Sequence, residues 1–180
     1  MKLKFGMNIK KRGLLCFFCL LFVLAFLSPG FFVKTVVVKR EKNFQMPVKE
    51  VFTTVVDPRK MKQWLPQLEK FEPMDGTVDK LGTNYLITLR MGKRKRVVRE
   101  KLLKLDWYKK VSLAFYPRNY TFYMDLVFSE TPTGTLLQTV IEIKPNGFLG
   151  RATVPYMKHG IGKQVENSLN NVNDFLLNEQ

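Results

Sequence analysis

The stretch over residues 151–177 limits the possible folds more than any other part of the chain. Apolar residues recur there every three or four positions, at Val154, Met157, Ile161, Val165, Leu169, Val172 and Leu176. This spacing predicts a helix with one apolar stripe, about 35 to 40 Å long at 1.5 Å per residue. Because such a stripe has to be buried, we expect the rest of the chain to supply a wide apolar surface.

The middle of the chain predicts that surface as a β-sheet. Strand patterns cover residues 35–44, 68–71, 83–91, 94–105, 109–116, 120–129 and 135–144, and two short helices are predicted from Pro47 and over residues 59–64. Strands joined by such short connections form an antiparallel meander. One face of the sheet is polar, and the other needs a cover. The sequence therefore predicts an α+β fold in which the helices cover one face of an antiparallel sheet.

The N-terminal segment is basic and then apolar. The net charge of the chain is +15, and no acidic residue precedes Glu41. Residues 13–33 carry no charge and follow Lys10, Lys11 and Arg12. A helix of that length is about 31 Å long, close to the hydrocarbon thickness of a bilayer. We therefore predict a basic leader and a transmembrane signal-anchor over residues 1–33, followed by one domain over residues 34–180.

A cleaved signal peptide is the alternative for this segment. Ser28 and Gly30 would then mark a cleavage site, and the domain would be secreted. We favour the anchor because the apolar run resumes at Phe31 and continues to Val33. Basic residues are more frequent before the segment than after it, which favours a single-pass protein whose domain lies on the non-cytoplasmic side.

Composition excludes several kinds of site. Cys16 and Cys19 both lie in the apolar N-terminal run, so the domain has no disulfide framework and no cysteine-based metal site. His159 is the sole histidine, which excludes a histidine-rich metal site. We expect no metal and no cofactor.

A basic run, Lys93, Arg94, Lys95 and Arg96, is the strongest charged feature of the domain. Three interpretations are open for this predicted hairpin tip. It is a solvated loop that keeps a sheet edge soluble, a contact for anionic lipid, or a contact for another polyanion. Nucleic acid is not expected, because no aromatic residues for base stacking are interleaved with the run. The membrane-surface interpretation suits a domain that is already anchored.

The predicted order of elements resembles that of the START-like, or helix-grip, superfamily (SRPBCC). The likeness covers residues 36–177 and is closest to the polyketide cyclase/dehydrase and lipid-transport group. It departs from the usual pattern where Glu41 and Lys42 interrupt the alternation of the first strand. The residues that carry the likeness are Met46-Pro47-Val48-Lys49-Glu50-Val51-Phe52, Asp57, Met61, Trp64, Pro66, Gly76, Gly82, Gly134-Thr135 and Asn167-Ser168-Leu169.

This resemblance implies a curved sheet that grips the long C-terminal helix, with a ligand cavity between them. Gly160 and Gly162 would let the helix bend or approach the sheet. The simpler interpretation of the apolar residues in this region is that they form an ordinary core. The cavity-wall candidates are Trp64, Tyr85, Leu89, Phe115, Phe122, Met124, Met157 and Ile161.

Three functions are compatible with these patterns. We favour membrane-anchored binding or transport of a hydrophobic small molecule, such as a lipid, a quinone or a polyketide. A cyclase/dehydrase-type enzyme would need an acid or base in the same cavity, for which a pocket tyrosine, His159, Asp125 and Glu142 are candidates. A protein- or membrane-interaction domain would instead have a filled core. No nucleophile motif is present, so we expect binding rather than catalysis, and the sequence leaves the ligand and the oligomeric state open.

Overall fold

The computed structural model describes residues 9–74 and 81–179. Gly76, one of the residues that carry the resemblance, lies outside these residues. Five helices and seven strands follow one another in the order α1 (Ile9–Leu27), α2 (Pro29–Phe32), β1 (Val36–Phe44), α3 (Val48–Val56), α4 (Pro58–Trp64), β2 (Leu68–Pro73), β3 (Asn84–Met91), β4 (Arg94–Asp106), β5 (Lys110–Phe115), β6 (Tyr120–Thr131), β7 (Gly134–Pro145) and α5 (Gly147–Asn178).

The strands form one curved antiparallel sheet in the order β1-β7-β6-β5-β4-β3-β2. Strands that follow one another from β2 to β7 are neighbours, and β1 completes the sheet by pairing with β7. Register shifts in β2, between Leu68 and Lys70, and in β4, between Leu102 and Lys104, increase the local bend. The α+β, helix-grip prediction is confirmed, and β1 pairs with β7 without a slip despite Glu41 and Lys42.

Helix α5 is longer than its apolar stripe predicts. It begins at Gly147, four residues before residue 151, and contains Pro155. The predicted stripe misses the first turn because Phe148 and Leu149 remain exposed there. Gly162 is buried against β1, and a Cβ at this position would lie 2.5 Å from a guanidinium nitrogen of Arg40. Gly162 therefore permits the close approach that the sequence predicts.

The apolar core divides into two clusters along α5. Leu169, Val172 and Leu176 pack with α3 and the sheet at the C-terminal end of the helix. Val154 packs with β1 and β7 near the N-terminal end. The stripe residues between these two ends, Met157, Ile161 and Val165, are only half-buried. The middle of α5 is therefore less tightly covered than its ends.

A corner between α3 and α4 fixes one end of this arrangement. Asp57 caps α4 by accepting a hydrogen bond from the backbone N–H of Arg59, at 2.9 Å. The indole N–H of Trp64 donates to the carbonyl oxygen of Thr54, at 2.8 Å. Asn171 of α5 donates to the carbonyl oxygen of Trp64, at 3.0 Å. Trp64 thus connects both short helices to the long one.

The predicted transmembrane helix over residues 13–33 is not found. Helix α1 ends at Leu27, and the chain forms a separate short helix from Pro29. The uncharged part of α1 is therefore only about 22 Å long, whereas the hydrocarbon core is about 30 Å thick. No helix in the described part of the chain is both long enough and apolar enough to cross a membrane.

Candidate functional site: an apolar groove beneath helix α5

The side chains that face α3, α4 and α5 form rows across the inner face of the sheet. In one row Tyr85 lies opposite Glu100 on β4, Glu100 opposite Phe115 on β5, and Phe115 opposite Phe122 on β6. In the neighbouring row Leu102 lies opposite Leu113, Leu113 opposite Met124, Met124 opposite Ile141, and Ile141 opposite Val38. The alternation of side chains along a strand puts both rows on the same face.

Part of this inner face is incompletely covered. Along α5, the half-buried middle of the stripe lies between its two buried ends. On β5 and β6, the apolar residues of the two rows are also half-buried. A straight helix cannot follow a curved sheet along its whole length, so we refer to the partly covered region as the groove. Its walls are Leu113, Phe115, Phe122, Met124, Met157 and Ile161.

Most of the predicted cavity residues border this groove. Phe122, Met124 and Ile161 pack together beside the N-terminal core cluster. Tyr85 and Trp64 are buried in the other cluster, where the Tyr85 ring lies 4.6 Å from that of Phe71. Leu89 lies farther along β3, opposite Leu68 and Arg96, and no contact connects it with the groove. That these side chains contact a ligand stays a prediction.

Two open surface depressions lie outside the groove. One is formed by the loop before α3 and the hairpin between β6 and β7, where Met46 and Gly134 meet. The other lies between β1 and the outer side of α5, beside Arg40 and Glu166. None of the predicted cavity residues lines either depression. The predicted ligand cavity therefore has to be compared with the groove and not with these depressions.

Glu100 is a polar group that the sequence interpretation missed. Its side chain is only 5 % exposed, although it belongs to a strand with many charged residues. The signal was the alternation of Val98, Glu100 and Leu102, which places the carboxyl group on the apolar face of β4. The sequence interpretation treats the charged residues at the start of this strand as part of a basic hairpin tip and assigns no role to Glu100.

The carboxyl group of Glu100 makes no hydrogen bond and no ion pair with the described residues. Its oxygen atoms keep a small exposed surface, since they are not among the fully buried atoms that lack a partner. Burial disfavours its charged form and raises the pKa of Glu100 to about 8. At neutral pH the group is therefore mostly a neutral carboxylic acid, which both donates and accepts hydrogen bonds.

Three of the predicted acid–base candidates do not face the groove. His159 is exposed on α5. Asp125 forms an ion pair with Lys110 at 2.8 Å on the outer face of the sheet. Although burial raises the pKa of Asp125, hydrogen bonds from Lys110 and Ser112 lower it more. Glu142 lies 3.4 Å from Lys144. These positions remove the best acid–base candidates of the enzymatic alternative, whereas Glu100 is a buried acid of the kind that this alternative requires.

The basic run forms the tip and start of the hairpin between β3 and β4, as predicted. Lys93, Arg94, Lys95 and Arg96 are exposed. Lys95 and Arg90 both contact the carboxylate of Glu69, and the hydrogen bond from Lys95 is the main reason that the pKa of Glu69 is lowered. Contact of the run with lipid stays a prediction.

A metal site can be assessed in the described ranges, residues 9–74 and 81–179. They hold no group of three or more His, Cys, Asp or Glu side chains that could bind an ion. Cys16 and Cys19 are free thiols on α1.

Solved structures with the same fold are numerous but distant in sequence. Ara h 8.0201 has a TM-score of 0.67 and 15 % identity, over 80 % of this chain and 99 % of its own. The di-domain ARO/CYC StfQ from the steffimycin biosynthetic pathway has a TM-score of 0.66 and 12 % identity, over 79 % of this chain and 50 % of its own. CalU16 from Micromonospora echinospora has a TM-score of 0.54 and 18 % identity, over 78 % of this chain and 74 % of its own.

The family comparison is more specific. No curated protein matches the sequence closely enough to count as a relative. Residues 35–174 match the family described as "Polyketide cyclase / dehydrase and lipid transport". This match covers β1 to α5, which is the entire helix-grip unit. The chain therefore belongs to the polyketide cyclase/dehydrase and lipid-transport family.

Proposed function

We propose that the protein binds a hydrophobic small molecule in the groove beneath α5 and does so at a membrane. The observation that carries the proposal is the half-burial of facing apolar residues, Met157 and Ile161 on α5 and Phe115, Phe122 and Met124 on the sheet. An apolar ligand placed there would remove these side chains from water. Each buried side chain of this size contributes about 1.5–3 kcal/mol when its burial is complete.

Family membership supports a ligand of this class. The family description names polyketide cyclisation and lipid transport, which both involve largely apolar molecules. StfQ, one of the similar structures, is described as an ARO/CYC of a biosynthetic pathway. We favour binding for this chain, because His159, Asp125 and Glu142 face away from the groove. A cyclase/dehydrase-type enzyme is the alternative, with Glu100 as its acid.

Helix α1 supports the membrane part of the proposal. Its described side chains from Cys16 to Phe26 are exposed, and they are apolar around the whole circumference of the helix. A helix that is apolar on all sides needs an apolar environment. We infer that α1 enters the bilayer and anchors the domain without crossing as one continuous helix. The non-cytoplasmic location of the domain stays a prediction.

The end of α1 is attached to the start of α5. The rings of Phe26 and Tyr156 are stacked with centroids 4.7 Å apart. Phe31 of α2 meets Phe148 of α5 at 5.0 Å. Gly30 is buried here, and a Cβ at this position would lie 2.7 Å from the Phe148 ring. These contacts favour retention of the N-terminal segment over cleavage after Gly30.

The strand register places the basic hairpin at the same end of the sheet as this attachment. The start of β1, the end of β7 and the start of β6 meet there. β5 ends opposite Glu100, and β4 extends from Glu100 in the same direction to its start at Arg94. Phe31, Phe32 and Leu149 are 72 %, 82 % and 69 % exposed at this end. Exposed apolar side chains and a basic hairpin at the same end of the sheet suit an anionic bilayer surface, where each basic residue adds about 1 kcal/mol.

Lipid extraction from the purified full chain tests the ligand. The protein is isolated from membranes in a mild detergent, and the bound molecules are identified by mass spectrometry. Met124→Trp fills the groove, whereas Val97→Trp adds the same ring on the exposed outer face. We expect one enriched class of apolar molecule in the wild type and in Val97→Trp, and at least a fivefold loss in Met124→Trp. Equal amounts in all three proteins would contradict the proposal.

A flotation assay tests the membrane part separately. Full-length protein is mixed with vesicles of neutral lipid or with vesicles containing 30 % anionic lipid. We expect flotation with both. Replacement of Arg94 and Arg96 by Gln should weaken flotation only with the anionic vesicles, whereas Phe31→Ser with Phe32→Ser should weaken it with both. A protein that stays in the dense fraction with both vesicles would contradict anchoring by α1.

A further inference from the structure

We propose that Glu100 is the polar recognition group of the groove and that it donates a hydrogen bond to a neutral oxygen, a carbonyl or a hydroxyl, on an otherwise apolar ligand. This inference rests on the proposed function and makes the class of ligand more specific. Nothing in the basic character of the chain predicts such a group.

The position of Glu100 carries the inference. It lies between Tyr85 on β3 and Phe115 on β5, in the row that leads to Phe122 in the groove wall. Its side chain is 5 % exposed, and its carboxyl group has no partner among the described residues. Burying a polar group without a partner costs about 1–3 kcal/mol. A ligand that supplies the missing hydrogen bond would recover part of this free energy.

The surroundings of Glu100 favour a neutral ligand. The neighbouring strands present Tyr85 and Phe115, and the facing stripe of α5 is apolar. The nearest cation on the same face of the described sheet is Arg96, which lies four residues from Glu100 along β4, or about 13 Å, and has an exposed side chain. Arg40 and Lys42 on β1 are four strands away. Arg40 is paired with Glu166, and Lys42 donates to Asn170. An ionised carboxylate or phosphate would therefore find no counter-charge beside Glu100.

The chemical state of Glu100 agrees with this role. A neutral carboxylic acid donates one hydrogen bond, and the raised pKa of Glu100 keeps the proton on the group at neutral pH. Above about pH 8 the group loses this proton and with it the ability to donate. Glutamine at the same position would keep two N–H donors and could not ionise, whereas leucine would remove the donor and nearly preserve the volume.

Competitive photolabelling of the full chain in lipid nanodiscs tests the inference. The probe is benzophenone, an apolar ketone that labels nearby C–H bonds when illuminated, and labelled peptides are mapped by mass spectrometry. The competitors are 2-acetylnaphthalene and 2-ethylnaphthalene, which differ by one carbonyl oxygen. The proteins compared are the wild type, Glu100→Gln, Glu100→Leu and Glu130→Gln, in which the replaced glutamate is exposed.

The measured quantity is the ratio of the concentrations at which the hydrocarbon and the ketone halve the labelling. We expect this ratio to be about three- to tenfold higher in the wild type than in Glu100→Leu, as one hydrogen bond predicts. Glu130→Gln should behave as the wild type. The preference should decrease in the wild type as the pH rises past 8 and should be independent of pH in Glu100→Gln. Comparing ratios cancels the partitioning of the two competitors into lipid.

Two failures are distinguishable. If labelling of peptides with Phe115, Met124 or Met157 is saturable but the competitor ratio is the same in the wild type and in Glu100→Leu, the role of Glu100 is wrong and the groove remains a binding site. If no variant shows saturable labelling of these peptides, groove binding itself is wrong, and the inference fails with it.

Discussion

Tyr85 and Glu100 lie opposite each other on β3 and β4, and both side chains are buried on the face of the sheet that the helices cover. A carboxyl group at this position is unfavourable for folding, because nothing described in the structure pairs with it. The groove beside it is bordered by half-buried apolar residues. Together these features describe a site that favours an apolar molecule with one polar oxygen.

The stability of the protein should depend on pH through Glu100. Its pKa is about 8 in the folded state, compared with 4.5 for the free group. Between these values the unfolded chain loses the proton while the folded chain keeps the group neutral. The free energy of unfolding therefore falls as the pH rises from about 4.5 to 8, by at most about 1.4 kcal/mol per pH unit, and this effect is complete above pH 8.

Glu100→Gln isolates this dependence from that of other titrating groups. We expect the unfolding midpoint of the wild type in urea to fall from pH 5 to pH 8 relative to that of Glu100→Gln. Glu130→Gln should follow the wild type. Parallel curves for the wild type and Glu100→Gln would mean that Glu100 titrates as an ordinary exposed carboxyl group.

Glu100→Leu should stabilise the protein at neutral pH. The substitution removes a buried polar group without a partner and extends the apolar contacts of Leu102 and Phe115. We expect a gain of about 1–3 kcal/mol in the free energy of unfolding, measured by urea denaturation at pH 7. A loss of more than 1 kcal/mol would indicate that Glu100 stabilises the fold. A structural role would then explain the buried carboxyl group without a ligand.

The Trp64 corner should be important for stability. The hydrogen bond from its indole N–H to the Thr54 carbonyl oxygen is buried. Trp64→Phe leaves this oxygen without a partner and should cost about 1–3 kcal/mol. Trp107→Phe is the matched control, because Trp107 is 56 % exposed, and it should change stability by less than about 0.5 kcal/mol. Equal losses in thermal unfolding for the two variants would contradict this view of the corner.

Gly134 is the glycine that the fold should tolerate least when replaced. It has a φ of +145°, and a Cβ at this position would lie 2.1 Å from the backbone oxygen of Phe44. Gly92 has a φ of +62° and open space around it. We expect Gly92→Ala to cost about 1–2 kcal/mol from backbone strain alone, and Gly134→Ala to cost clearly more, because β1 has to move. Chemical denaturation of both variants measures the difference, which should vanish if the close approach is absent.

The parts of the fold that the sequence predicts are those with a regular apolar period. The stripe from Val154 to Leu176 predicts α5, and short connections between alternating segments predict the meander, because both patterns follow from burial of one face. The first turn of α5 escapes prediction because Phe148 and Leu149 break the rule that apolar residues are buried. Ser28 and Pro29 end α1 inside an apolar run that hydropathy alone treats as continuous.

The candidate site is predictable only in part, for a similar reason. The spacing of apolar residues identifies the face of the helix or strand on which a residue lies. It does not show whether the space next to that side chain is filled by other residues or left open. It therefore gives Phe122, Met124 and Ile161 as inward-facing residues, and it cannot distinguish a core from a groove. Glu100 was missed because the frequent charges of β4 conceal that this one is on the apolar face. Leu89 has the correct alternation but lies too far along β3.

Methyl NMR of the full chain, labelled with ¹³C at its methionine methyl groups and titrated with 2-acetylnaphthalene, is the most direct test of groove binding. Met124 and Met157 are half-buried wall residues of the groove, whereas Met46 and Met61 pack at the α3–α4 end of the core. We predict saturable shifts of the Met124 and Met157 signals at concentrations that leave those of Met46 and Met61 in place. Shifts confined to Met46 and Met61, or shifts that grow linearly without saturation, would contradict the account.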